Sequence, residues 1–167
     1  TDRQGITVRD ALAEIGYAGP EPVGGVAVGA YFEAHIEQGP ILEANDVPIG
    51  IVEGALGQRW FDIDITGQEA HAGPTPMAMR RDALLASARL IQAVNEIACT
   101  HAPHGRGTVG YIDGYPNSRN VIPGRVSLTV DLRAADDAVL DSMCAALDAV
   151  CADIAAQPGF RLDKKEV

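Results

Sequence analysis

Residues 58–167 of this 167-residue chain predict an α+β fold, a four-stranded antiparallel sheet with two helices on one face. Three observations carry the prediction. Arg59 to Thr66 alternates strictly between polar and apolar side chains; Pro76 to Ala98 and Asp136 to Gly159 place apolar residues at helical intervals; the stretches after each helix alternate again. The order is therefore strand, helix, strand, strand, helix, strand.

Upstream of that region, Thr7-Val8-Arg9-Asp10 has a capping-box-like start, and Ala11 to Ile15 continues it as a short helix that stops near Gly16. Gly19 to Val28 is rich in Gly and Pro and reads as a loop. Ala30 to Glu37 alternates as a strand would, with Tyr31, Glu33, His35 and Glu37 on one face, and Ile49 to Val52 suggests another short strand.

Within Arg59 to Thr66, Trp60, Asp62, Asp64 and Thr66 share one side and Phe61, Ile63 and Ile65 the other, as in a half-buried strand. In Pro76 to Ala98, Leu84, Leu85, Ala88, Ile91, Val94 and Ile97 form the stripe of a helix of about six turns. Thr108 to Ile112 and Arg125 to Arg133 are the next strands, joined by a loop holding Pro116, Asn117 and Asn120. Asp136-Asp137 opens the second helix with acids at its positive end, and its stripe is Val139, Leu140, Met143, Leu147, Val150 and Ile154. Phe160 to Val167 supplies a final strand. This is the ferredoxin-like βαββαβ order, and its uncovered sheet face and edge strand offer a dimerisation surface.

A composition of 47% hydrophobic and 22% charged residues suits a soluble globular chain. The formal charge of −10 argues against a phosphate backbone or an anionic membrane surface as partner. An RNA-recognition domain of the same topology is excluded as well, because the middle strands lack paired aromatics for base stacking. No apolar run approaches a membrane span of roughly 18 residues, and no signal-peptide pattern opens the chain. Cys99, Cys144 and Cys151 show no CxxC spacing and read as buried small apolar residues of a protein in a reducing cytoplasm. The chain begins at Thr1 rather than methionine, which suggests a fragment.

Three segments concentrate polar chemistry: His35-Ile36-Glu37-Gln38-Gly39-Pro40, Gly67 to Pro74 around His71, and Asn117 to Gly124 followed by Asp131-Leu132-Arg133. His35 alone cannot make a zinc site, which needs three or four protein ligands, and on spacing it reads as a strand histidine satisfied by a hydrogen bond. His71 lies between Ala70, Ala72 and Gly73, where the chain passes from strand to helix and leaves room for close approach. Arg133 can form a surface ion pair with a nearby acid, or its planar fork can meet a carboxylate. His101 and His104 flank Pro103 in a loop and read as solvated residues; Asp136-Asp137 reads as a helix start.

Together with Ile41-Leu42-Glu43 and Arg81-Asp82-Ala83-Leu84, these segments resemble the zinc-dependent amidohydrolases that include allantoate amidohydrolase, N-carbamoyl-L-amino-acid hydrolase and beta-ureidopropionase. That group belongs to the clan of zinc aminoacylases and carboxypeptidases. The resemblance implies that residues 1–57 are part of a metal-binding α/β catalytic domain and residues 58–167 the ferredoxin-like lid, through which the enzyme forms a homodimer. It implies His35 as a metal ligand, Gln38, Asn120 and Arg133 as substrate-binding residues, the last two gripping a carboxylate, and His71 as the catalytic donor that reaches into the partner's site and stabilises the tetrahedral oxygen.

The implied reaction is metal-assisted hydrolysis of a C–N bond in a ureido or N-carbamoyl acid, with two divalent ions, zinc or manganese, in the complete enzyme and none held stably by this portion. The family's remaining ligands and general base have no counterpart in the sequence, so this chain alone is expected to be inactive. The alternative is a stand-alone ferredoxin-like dimerisation or ligand-sensing module.

Overall fold

The computed structural model describes residues 1–2 and 4–167, which divide into two compact units, Thr1–Gly50 and Ile51–Val167. In the first unit, helix α1 (Val8–Glu14) carries the predicted capping box: Thr7 Oγ1 accepts from the Asp10 N–H at 3.1 Å and the Asp10 carboxylate accepts from the Thr7 N–H at 3.1 Å. The Thr7 hydrogen bonds hold the Asp10 carboxyl below its ordinary pKa.

The strands expected over Ala30 to Glu37 and Ile49 to Val52 do not form. A strand exists only as part of a ladder, and among the described residues these stretches have no strand to pair with. Helix α2 (Ile41–Ala44), which the sequence pattern did not predict, stands instead just after the first of them. The Glu37 carboxylate starts it, accepting from the N–H groups of Ile41 at 2.9 Å and Leu42 at 3.0 Å.

The second unit follows the predicted order. Its main sheet consists of β1 (Gly57–Thr66), β3 (Arg106–Tyr115), β5 (Arg125–Ala134) and β6 (Arg161–Glu166), arranged β3-β5-β1-β6 with every neighbouring pair antiparallel. A two-stranded ladder, β2 (Ala70–His71) with β4 (Val121–Ile122), stands apart from it. Helices α3 (Ala83–Thr100) and α4 (Asp137–Ala155) cover one face of the main sheet.

Period-2 alternation in β1 and β5 sends Phe61, Ile63, Ile65, Val126, Leu128, Val130 and Leu132 inward, where Leu90, Val94, Leu140, Met143 and Leu147 of the helices meet them. The opposite face is open, with Trp60 48% and Tyr111 47% exposed. Among the described residues no helix is long and apolar enough to cross a membrane.

Two expectations for this unit need correction. Helix α3 begins at Ala83, because Pro76 leads only into a short 3₁₀ turn (Met77–Met79) and the chain is extended at Arg80. The Asp82 carboxylate then caps α3, accepting from the N–H groups of Leu84 and Leu85. Its buried stripe is Ala83, Ala86, Ser87, Leu90, Val94 and Ile97, so Leu84 and Leu85 stay 43% and 50% exposed. Of the three thiols, only Cys151 is buried, and burial pushes its pKa up to about 11; Cys144 is half-buried and Cys99 exposed.

Candidate functional site

Beyond the Thr66 and Arg125 ends of β1 and β5, two loops are stitched together by backbone hydrogen bonds. Gly67 N–H donates to the Gly124 carbonyl at 2.8 Å, β2 pairs with β4 so that His71 stands opposite Val121, and Ala72 N–H donates to the Asn120 carbonyl at 2.8 Å. The first loop is also tied toward α3, where Gln68 N–H reaches the Arg81 carbonyl at 2.8 Å. Only glycine fits at position 67, since a Cβ there would lie 2.1 Å from the Arg81 carbonyl oxygen. The structure thus brings His71 and Asn120 into one place, although 49 positions separate them in sequence.

Both side chains are exposed and each has one partner that fixes what it can offer. Gly73 N–H donates to His71 Nδ1 at 3.0 Å, so that nitrogen is the acceptor and Nε2 carries the ring's proton. The Asn120 Oδ1 accepts from the Ser118 hydroxyl at 3.1 Å, which leaves the amide –NH₂ as the donor it can offer. The corner therefore presents two neutral donors, an arrangement suited to an oxygen that gains negative charge. Beside it, Thr66, Glu69, Tyr115 and Arg125 line a recess of about 410 Å³. A second recess, of about 390 Å³, opens on the bare sheet face between Trp60, Tyr111 and Val167, and none of the predicted site residues lines it.

Arg133 is not part of this corner. It lies near the other end of β5, opposite Gln58 of β1 and Arg106 of β3. Eight residues separate it from Arg125, a span of about 27 Å at about 3.4 Å per residue. Its Nε and Nη2 grip the Asp131 carboxylate at 2.7–3.1 Å, and that hydrogen-bonded ion pair raises the guanidinium pKa above its ordinary value. The expected convergence of Asn120 and Arg133 does not occur within one copy of the chain. Arg119 and Arg125 are the arginines next to Asn120 in sequence on either side of the β4 turn.

In the first unit, His35 is exposed and its Nδ1 lies 2.5 Å from the Ile36 carbonyl oxygen. Nδ1–H donating to that oxygen leaves the Nε2 lone pair available, the form in which a histidine binds metal. Gln38 has a left-handed backbone, φ 55°, which is uncommon for a non-glycine residue. Glu37 spends its carboxylate on α2. Among the described residues no group of three or more His, Cys, Asp or Glu is placed to hold a metal ion. His101 caps the end of α3, with Nδ1 2.9 Å from the Ile97 carbonyl oxygen.

Sequence reasoning missed Asp131, Arg80 and Asp82. Asp131 was legible, since residues i and i+2 share a strand face. Asp82, a capping residue just ahead of an apolar repeat, was legible as well. Arg80 gave no periodic signal; its guanidinium reaches the carbonyls of Ala72 and Thr75 through the fold of the loop.

Comparison with known proteins identifies the family. Residues 54–158 match the M20-type peptidase dimerisation domain. The chain is 48% identical over 148 residues to an N-carbamoyl-L-amino-acid amidohydrolase of Rhizobium meliloti, covering 89% of this chain and 36% of the relative. It is 37% identical over 172 residues to a probable allantoate deiminase of Oryza sativa subsp. japonica, with 86% and 34% covered. Among solved structures, a hydantoinase/carbamoylase family amidase from Burkholderia vietnamiensis superposes with a TM-score of 0.88 at 57% identity, over 99% of this chain and 40% of that one. The chain thus spans little more than a third of the length of such relatives. Its fold, its matched segment and these likenesses agree: the chain belongs to the family of the M20 peptidase dimerisation domain, with amidohydrolases among its relatives.

Proposed function

We propose that this chain is the lid and part of the catalytic domain of a metal-dependent amidohydrolase that cleaves a C–N bond of an N-carbamoyl amino acid or a ureido acid such as allantoate. The observation that carries the proposal is that the β2–β4 ladder and the Ala72–Asn120 hydrogen bond bring the His71 and Asn120 segments together, His71 offering an Nε2–H and Asn120 its amide –NH₂ as donors. The chemistry asks for donors of this kind where a trigonal carbon becomes tetrahedral and its oxygen takes up charge. The relatives, an N-carbamoyl-L-amino-acid amidohydrolase and a probable allantoate deiminase, suggest the substrate class.

Residues 1–57 belong to the catalytic domain in this reading. Val23, Val26, Phe32, Ile51 and Val52 are all more than 80% exposed, far too much apolar surface to leave to water unless further protein covers it. His35 would be one ligand of a site for two divalent ions, zinc or manganese, completed by residues outside this sequence, and Gln38 would hold substrate. When bound, such ions polarise the scissile carbonyl and lower the pKa of water.

The separation of Arg133 from Asn120 gives the assembly its logic. A small acid cannot span about 27 Å of strand, so both residues reach one substrate only if they come from different copies. One site would take His71 and Asn120 from one protomer of a homodimer and the Arg133 fork from the other. The compartment would be a reducing one such as the cytoplasm, in keeping with three free thiols.

The test is H71A in the full-length protein, assayed with N-carbamoyl amino acids and allantoate at matched metal content. The expected loss in kcat is about 10²–10³-fold, the typical effect of removing one oxyanion donor. Unchanged turnover per bound metal would sink the reading.

A further inference from the structure

Arg80 uses its charge in an unusual place. It sits on extended backbone between the 3₁₀ turn and Asp82, half-buried, and both of its fork contacts go to backbone carbonyls. Nη2 donates to the Ala72 carbonyl at 2.7 Å and Nε to the Thr75 carbonyl at 3.1 Å. Those two oxygens mark the ends of the turn that follows His71.

The hydrogen bonds that hold the His71 ring and carbonyl hang on that turn. Gly73, inside it, supplies the N–H that meets His71 Nδ1. Thr75, at its end, donates its hydroxyl to the His71 carbonyl at 2.7 Å and its N–H to the same oxygen at 3.3 Å. Ala72, at its start, donates its N–H to the Asn120 carbonyl. A guanidinium bridges the two ends of the turn because its N–H groups diverge in one rigid plane, which a lysine ammonium cannot reproduce.

We propose that Arg80 is a positioning residue that clamps the Ala72–Thr75 turn, so that the Gly73 amide holds the His71 ring as the Nε2–H tautomer. Its effect on turnover rests on the reading of His71 as a donor to the reacting oxygen; its effect on the ring does not. Removing the clamp lets the turn relax, and the ring samples both tautomers and a wider range of directions.

The experiment compares R80A and R80K with wild type in the full-length protein carrying ¹⁵N-labelled histidine, with H71A identifying the His71 signals. Long-range ¹H–¹⁵N spectra are expected to show a single Nε2–H form in wild type and an averaged one in both Arg80 variants. Turnover is expected to fall about 10–100-fold in kcat with KM nearly unchanged, as for a misplacement of about 1 Å at a reacting group. Added guanidinium should recover part of the loss in R80A.

A wild-type ring signature in R80A overturns the proposal. If R80A does not fold, R80K carries the test, and a wild-type signature with wild-type kcat there overturns it equally. If H71A itself keeps full turnover, the functional reading fails while the ring spectra still decide whether Arg80 is the clamp.

Discussion

The two ends of the sheet differ in what they leave available. At the Thr66 and Arg125 end, two loops are fixed by their own backbone hydrogen bonds, and the exposed His71 and Asn120 side chains each keep a donor free among the described residues. At the Gly57 and Ala134 end, the cation is already matched: Asp131 holds the Arg133 fork, and Arg59 lies near Glu166 at 3.4 Å. In the proposed function, one end would receive developing negative charge and the other would hold a positive group in a set direction until a substrate carboxylate competes for it. The sheet between them would act as a spacer of fixed length, so that the two ends could serve one small substrate only across a dimer.

The largest expected effect tests that division directly. Full-length H71A and R133A should each be nearly inactive as homodimers. Mixing them under conditions of subunit exchange should restore activity toward about a quarter of wild type, because half the dimers are mixed and each of those has one intact site. No recovery, with exchange verified by mass, would mean that His71 and Arg133 serve the same copy; wild-type turnover in R133A alone would mean that Arg133 serves none.

The next effect asks whether the donor end is the less forgiving in its backbone. A methyl added at Gly67 would meet the Arg81 carbonyl oxygen at 2.1 Å, a backbone atom that cannot step aside. At the opposite end, a methyl at Gly57 would meet Leu140 Cδ2 at 3.2 Å, the tip of a side chain. G67A should cost about 1–3 kcal/mol in denaturant unfolding, the usual range for overpacking, and should lower kcat as well. G57A should stay well below that and leave kcat intact. Equal costs would show that the two ends are equally tolerant.

Much of this architecture was legible in the sequence, and the failures have physical causes. Strict alternation announced β1 and β5, because one face of each is buried and the other is not. Ala30 to Glu37 alternates in the same way yet forms no strand, since a pattern of side chains cannot provide the neighbouring backbone that a strand requires. Leu84 and Leu85 misled the reading of α3 because the buried face runs through Ala83, Ala86, Ser87 and Leu90, and both leucines lie off it.

In the site, the roles of His71 and Asn120 were suggested by resemblance, but their meeting rests on a two-residue ladder too short to leave any periodic trace. The distance of Arg133 from them could have been counted along its own strand.

The smallest effect separates support for the site from support for the fold. Asp82 and Asp136 do the same local work, each carboxylate accepting from two N–H groups at the start of a long helix. Their surroundings differ: Asp82 directly follows Arg80 and Arg81, which hold the His71 loop, while Asp136 follows the Ala134 end of β5. D82A and D136A should each cost about 1 kcal/mol of unfolding free energy, the ordinary value of a helix cap. Only D82A should also lower kcat, by a few-fold, because fraying the first turn of α3 loosens the strand of chain that carries Arg80. A D136A variant that slows turnover as much as D82A at the same stability would show that catalysis follows the stability of the whole unit, and the distinction between the two ends would then be one of geometry without mechanical consequence.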